Sequence, residues 1–381
     1  MGGFDMKWHL GYSVKEDTLA AIEEACQTFR NTQPELVLFF SDSIRFERVA
    51  VLLHGIFPKA VTMGASTYAS FSLQGLCRNG INVMALIGGG DVRICANHID
   101  EITKYPMKYK QNIERAVSQL EPLQPGTQNT VCFLLNPAGT GSEELVLDTI
   151  GEVLHDKHIP VVGGSASSEA CVTGKVSLNG RIYADSSVFA LIQLSKGHVY
   201  IYQENIFKPM DHTFTITRAD VDRRTIYELD GHPAAEVLCR ALQVPFDQLA
   251  LKLVRHPFGR IPDNKLFVDE VERVNQDGSI TTFCRVFNQS QIVLLEPCDC
   301  QQTLSQTLAA IHAEMPVIDS SIIINCYSRT QMFLQNGWMD EFLHVFGTSM
   351  GAYIGLTSHG EQLGDYQLNL TLLVLSFGGT V

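Results

Sequence analysis

The sequence has no apolar run of the ~18 residues that a membrane-spanning helix needs, so membrane insertion is not expected. It is also short of positive charge: 28 Lys and Arg stand against 41 Asp and Glu in 381 residues, a formal net charge of −13. Nucleic acid, whose phosphates call for a basic face, is therefore disfavoured as a partner, as is an anionic membrane surface. The opening stretch, Met1 to Leu10, lacks the charged region and apolar core of a signal peptide. Met6 stands where a myristoylation pattern wants Ser or Thr. The ten cysteines are scattered, and the Cys298-Asp-Cys300 pair has no second pair at zinc-ligand spacing. Several lie in apolar runs, where a thiol is a small buried hydrophobe. With no export signal, reduced thiols in a cytoplasm are the expectation. Also missing are the Gly-x-Ser-x-Gly elbow of a hydrolase, a phosphate loop with Gly-Lys-Ser/Thr and a Cys-x-x-Cys-His haem attachment. Gly88-Gly-Gly90-Asp91 reads as a flexible turn, and Gly139-Thr-Gly141 as the approach to a helix cap.

What is present is an internal echo. Leu36–Phe40, Val61–Ser66 and Val83–Ile87 are followed by Val131–Leu135, Val161–Ser165 and Val188–Ile192, and then by Ser321–Cys326, Tyr353–Gly355 and Leu370–Ser376. Each triplet reads as strand, helix, strand with a Gly/Ser turn, and closing strand, and the continuous apolar runs suit strands buried on both faces. The intervening helices are expected at Ser43–His54, from Ser142 as a polar cap through Leu154, and at Met339–Phe346. Strand–helix–strand units of this kind imply a parallel or mixed sheet.

Between the second and third triplets the pattern changes. Asn179-Gly180 is a hairpin signal, Thr213–Thr217 alternates like a strand, and Ala234–Leu242 reads as a short helix. Lys265–Val271 and Ile280–Phe287 flank a turn at Asp277-Gly278, with a further strand at Ile292–Leu295, while Leu123–Thr127 forms a turn earlier in the chain. The expected fold is α/β: two mixed-sheet domains built from repeated strand–helix–strand units, residues 1–195 and 196–381, with an antiparallel portion in the C-terminal domain.

Several local motifs then fall into order. Gly64-Ala-Ser66-Thr67 follows an apolar strand, and Pro160-Val-Val-Gly163-Gly164-Ser165-Ala166 follows the same plan. Later come Glu228-Leu-Asp230-Gly231-His-Pro233-Ala234, Cys326-Tyr-Ser-Arg329, Gly360-Glu361 and Asn369-Leu-Thr371. This ordered set, spread over nearly the whole chain, resembles the FIST N-terminal and C-terminal domains. The chain departs from that pattern at Ala65, where the family has cysteine, at Tyr68, where it has alanine, and at Ala69-Ser70, where Gly-Glu often follows. Tyr68 adds bulk and an aromatic face.

The resemblance implies a cytoplasmic sensor of a small ligand, chemoreceptor-associated and of bacterial type, and not an enzyme. Its partners would be the ligand and a signalling output protein or fused output domain, and no cofactor is required. The implied ligand residues are Ser66, Thr67, Tyr68, Gly164, Ser165, Ala166, Cys326, Arg329, Gly360, Glu361 and Asn369. Ligands of open α/β sheets sit beyond the carboxyl ends of strands. There the Gly/Ser turns present N–H groups and hydroxyls to a carboxylate or other anion, or else merely allow tight turns. Arg329 suits a carboxylate and Glu361 an amine, an amino-acid-like combination; the alternative is an ion pair with a structural role at the domain junction. One branch of the family binds haem and senses nitric oxide, which would need an axial ligand such as His359 or His232. A hydrolase using Cys326, its thiol activated by a nearby cation, is the enzymatic alternative.

Overall fold

The computed structural model describes residues 6–100, 102–123, 127–168 and 174–379. The first five residues, Cys171 and positions 124–126 of the Leu123–Thr127 turn lie outside the described residues. The chain forms two compact units: residues 1–203 with 307–366 and 372–381, and residues 204–306 with 367–371. These units are defined by contact, whereas the contiguous halves drawn from the sequence follow chain order.

The first unit is built from three copies of one plan. In the first copy an outer strand, Lys7–Ser13, leads through the helix Thr18–Ala25 to the strand Leu36–Ser41. The helix Phe46–Ile56, the strand Val61–Ser66, a hairpin of Ser70–Ser72 with Gly75–Cys77, and the closing strand Ile81–Ile87 follow. The second copy repeats this from Val92–Ile99 to Ser187–Leu194, and the third from His198–Asn205 to Thr371–Gly378. In chain order the second unit interrupts the third copy from the end of its outer strand, at residue 204, into the helix Cys300–Glu314, at residue 306, and takes up 367–371 as well. In each copy the two central strands are parallel, as the intervening helix requires: Leu36–Ser41 with Val61–Ser66, Thr130–Asn136 with Val161–Ser165, and Ser320–Cys326 with Ala352–Ser358. The closing strand returns antiparallel to the first. All three expected strand triplets are present.

The hairpins are exchanged in a ring. The hairpin of the first copy pairs with Ala352–Ser358 of the third, that of the second copy (Val176–Leu178 with Arg181–Tyr183) with Val61–Ser66 of the first, and Glu361–Leu363 of the third with Val161–Ser165 of the second. No sheet is completed by its own copy, which is why residues 307–366 belong with the first 203. The central strands are buried on both faces. In the first copy one face, with Val37 and Phe39, packs on Ile22, Phe46, Val49 and Leu53 of its helices. In the second copy Leu134 and Leu191 pack likewise on Val146, Leu147 and Ile150.

Local expectations met the structure unevenly. The Asn179-Gly180 turn holds both residues at positive φ, 51° and 75°, as a two-residue hairpin of this type needs. The helix Ala234–Leu242 has the expected bounds. Ser142 does precede the helix Glu143–Leu154, but its hydroxyl meets Thr140 Oγ1 at 2.9 Å instead of capping the helix N–H groups. The second unit is antiparallel throughout its ladder, which runs from Phe267–Asp269 through Phe258–Arg260, Gln291–Pro297, Phe207–Asp220, Thr225–Leu229 and Ile280–Thr282 to Val271–Val274. The helices Ala234–Leu242 and Phe246–Arg255 cover one face of it through Leu238, Leu242, Leu249 and Leu253. Among the described residues no helix is long and apolar enough to cross a membrane.

Candidate functional site

The carboxyl ends of the paired central strands carry the polar side chains of an otherwise apolar interior. In register, Ser41 faces Ser66, Asn136 faces Ser165, and Cys326 faces Ser358. The turns that leave these ends run through Thr67-Tyr68, Ala166-Ser167 and His359-Gly360 before each chain crosses to the next sheet. Hydrogen bonds knit the three turns together. Ser167 N–H donates to the Ser66 carbonyl at 2.9 Å, and Ser66 Oγ donates to the Ser167 carbonyl at 3.1 Å. Thr67 Oγ1 lies 2.8 Å from both the Ala69 and Thr357 carbonyls, and Ser167 Oγ donates to the Thr357 carbonyl at 2.6 Å while accepting Tyr68 N–H at 2.8 Å. His359 N–H donates to the Ser165 carbonyl, and Ser165 N–H to the Gly360 carbonyl, each at 2.9 Å. Gln362 Nε2 bridges Ser165 Oγ and the Gly360 carbonyl at 3.0 and 3.2 Å.

Gly164 explains how two sheets come this close. A Cβ there would stand 2.7 Å from Ile324 Cγ2 and 3.2 Å from Ser358 Cβ, so any side chain would push the second and third sheets apart.

The charged candidates lie beside this network. Arg329, on the helix Tyr327–Asn336, is the largest fully buried side chain, its guanidinium 4.6 Å from the centre of the Phe333 ring. Glu361 is also fully buried, and its Oε1 accepts the Ser358 hydroxyl at 2.5 Å. Cys326 is 3% exposed, and its carbonyl accepts Thr330 Oγ1 at 2.9 Å. An aromatic ladder borders the same turns. Tyr68 meets Tyr327 edge-on at 5.1 Å, and Tyr327 stacks on His359 at 4.7 Å. Burial pushes the His359 imidazole down to about 4, which keeps it neutral at physiological pH. Four polar atoms here, Asn136 Nδ2, Asn325 Oδ1, Thr357 Oγ1 and His359 Nε2, are shut off from solvent with no hydrogen-bond partner among the described residues. Folded proteins rarely tolerate such atoms without a reason.

Ten of the eleven residues chosen from sequence, from Ser66 to Glu361, belong to the first unit. Asn369 belongs to the second. Its Oδ1 accepts the Cys284 thiol at 3.1 Å, and its N–H donates to the Val268 carbonyl at 3.1 Å. His232 likewise sits in the second unit, exposed, beside a tight turn in which Asp230 and Gly231 take φ of 51° and 78° and Asp230 Oδ1 accepts Thr215 N–H at 2.8 Å. That turn accounts for the Asp-Gly pair of the motif at Glu228–Ala234. Sequence reasoning missed Ser167, Thr357 and Tyr327. Each sits within three residues of a chosen one, and their hydroxyls and ring were the available signal.

Two clefts lie elsewhere. One of about 620 Å³ is in the second unit, lined by Glu236, Cys239, Arg240 and Phe246 among others. A smaller one of about 270 Å³ lies beside Gly151, His155 and Asp365. Neither is lined by a residue chosen from sequence. Among the described residues every cysteine is a free thiol, and no group of three or more His, Cys, Asp and Glu could hold a metal ion.

Comparison with known families agrees with the motif order. A FIST N domain model matches residues 35–232, and a FIST C domain model matches residues 234–363. No curated protein matches the chain. Domains of these two types are associated with signal-transduction sensing and are not enzyme families.

Proposed function

The chain belongs to the FIST family, and from that premise we propose that it is a cytoplasmic sensor binding a small, anionic or amino-acid-like molecule at the strand ends of the first unit. The observation that carries this reading is the set Asn136 Nδ2, Asn325 Oδ1 and Thr357 Oγ1, buried atoms that find no partner among the described residues although hydrogen bonds link the turns around them. A bound molecule would supply what these atoms lack, recovering part of the ~1–3 kcal/mol that each buried, unsatisfied group costs. The backbone N–H groups and hydroxyls of Ser66, Thr67, Tyr68, Gly164, Ser165, Ala166 and Gly360 surround the site, Arg329 would receive a carboxylate, and Glu361 an amine. Cys326 would help to shape the wall. The proposed site does not include Asn369.

The signal would travel through the exchanged hairpins. Each is continuous with a turn of one copy and paired to a strand of another, so a ligand that tightens the turns would favour one arrangement of the ring over its alternatives. A signalling output protein or a fused output domain would read that shift, with no chemical step.

The test is a thermal-shift screen of the whole chain against amino acids, organic acids and nucleobases. A ligand at 100 times its dissociation constant should add about 2.7 kcal/mol of stability. Arg329→Ala would leave a large cavity, so Arg329→Lys, which keeps the charge and loses the planar fork, is the informative variant. Its melting point without ligand should stay close to that of the parent while the ligand-induced shift shrinks. An undiminished shift removes Arg329 from the site. Haem is the alternative cofactor, because the neutral Nε2 of His359 has the character of an axial nitrogen. Haemin titration decides it: a Soret shift lost in His359→Gln would assign haem, and no shift would dismiss it.

A further inference from the structure

The aromatic ladder goes beyond what a site for aliphatic amino acids would need. It draws its rings from three separate segments: Tyr68 from the turn after Val61–Ser66, Tyr327 from the start of the helix Tyr327–Asn336, and His359 from the turn after Ala352–Ser358. Two of these are pinned through their backbones, Tyr68 N–H to Ser167 Oγ and His359 N–H to the Ser165 carbonyl. At the outer end the exposed Arg78 places its guanidinium 4.7 Å from the centre of the Tyr68 ring. Arg78 forms no ion pair among the described residues, although it sits in a chain of net charge −13. At the inner end is the buried Nε2 of His359, without a hydrogen-bond partner among the described residues. Moving inward, the ladder therefore offers a cation, two phenol rings in an edge-to-face pair, and an imidazole nitrogen. Simple core packing would be served by Phe or Leu, which leave no polar atom to satisfy.

Resting on the reading that the first unit binds a small molecule, but with its carboxylate at Arg78 in place of Arg329, we infer that the molecule is a planar aromatic carboxylate whose ring lies against Tyr68 and Tyr327 and whose charge faces Arg78. Aromatic rings gain from edge-to-face or offset contact beyond the area they bury, and a guanidinium stacked on a ring keeps its N–H groups free for a carboxylate in its own plane. A ring heteroatom or hydroxyl directed inward would meet His359 Nε2. The imidazole carries no charge of its own at neutral pH, so the sign of the ligand is set at the Arg78 end.

Three probes of similar size separate the contributions: benzoate, cyclohexanecarboxylate with the same charge and no π face, and benzylamine with a ring and the opposite charge. Titration calorimetry on the full chain should show benzoate binding about 2- to 10-fold more tightly than cyclohexanecarboxylate, and no heat from benzylamine. Tyr68→Leu should abolish the preference for benzoate, and Tyr68→Phe should restore it. Arg78→Gln, a surface change that leaves folding intact, should weaken both carboxylates by a similar factor. Equal affinities for benzoate and cyclohexanecarboxylate, or a preference that survives Tyr68→Leu, would overturn the inference. If aliphatic acids bind while ring compounds do not, the ladder is excluded and the sensing proposal stands. If no small molecule of any class binds, both fall.

Discussion

Lowering the pH from 7 towards 4 forces a choice on His359. In the unfolded chain its imidazole takes up a proton with a pKa of about 6.5, whereas in the folded unit burial holds that value near 4. Between these two values the unfolded chain holds the proton and the folded chain does not. Stability therefore falls as pH falls through that window and levels off below about 4. At 1.36 kcal/mol per pH unit the full loss approaches about 3 kcal/mol, and about 2 kcal/mol of it should be expressed by pH 4.5. Urea unfolding followed by tryptophan fluorescence measures it, because both tryptophans, Trp8 and Trp338, lie in the first unit. His98, lowered mainly by burial, titrates in the same direction. The informative quantity is therefore the difference between the parent and His359→Phe, which keeps a ring against Tyr327 and removes the titration. The parent should lose about 2 kcal/mol more than the variant between pH 7 and 4.5. A difference within about 0.5 kcal/mol would show that the folded unit accommodates the imidazolium, and the account of a dry, neutral His359 would be wrong.

Other perturbations follow from particular contacts. Gly163→Ala would bring its Cβ to 2.3 Å from the Leu134 carbonyl oxygen, so the variant should lose about 1–3 kcal/mol in urea unfolding. Thr67→Val removes the hydroxyl lying 2.8 Å from the Ala69 and Thr357 carbonyls, and should cost about 1–3 kcal/mol in the same assay. In the second unit Arg260 grips the buried Asp269 through two bonds of 2.5 and 2.8 Å. Asp269→Ala should lower stability by about 3–5 kcal/mol in chemical denaturation followed by far-UV circular dichroism.

Much of the architecture was legible before the structure. Runs such as Leu36–Phe40 and Val131–Leu135 are apolar at every position, a pattern that suits a strand covered on both faces and little else of that length. Asn179-Gly180 announced its hairpin because few other pairs accept positive φ at both positions. The short hairpin Ser70–Cys77 passed unnoticed: three residues to a strand is too few for alternation to show. Ser66 and Ser165 could be chosen because small polar residues at the ends of apolar strands are conspicuous, whereas Thr67 and Glu361 were reached through the resemblance of their motifs to the family. Tyr327 could not be linked to Tyr68, because nothing local in a helix start reports on a turn 259 positions earlier in the chain.

By itself, then, the order of residues determined which segments become strands, which faces they bury, and that one plan is used three times. Those properties depend on side-chain periodicity within some ten residues. Only the tertiary structure decided which strand edges meet, since backbone N–H and C=O groups are alike in every residue and carry no address. The ring of exchanged hairpins, and with it the meeting of Tyr68, Ser167, Tyr327 and His359, arises from the packing of whole sheets and from the close approach that Gly164 permits.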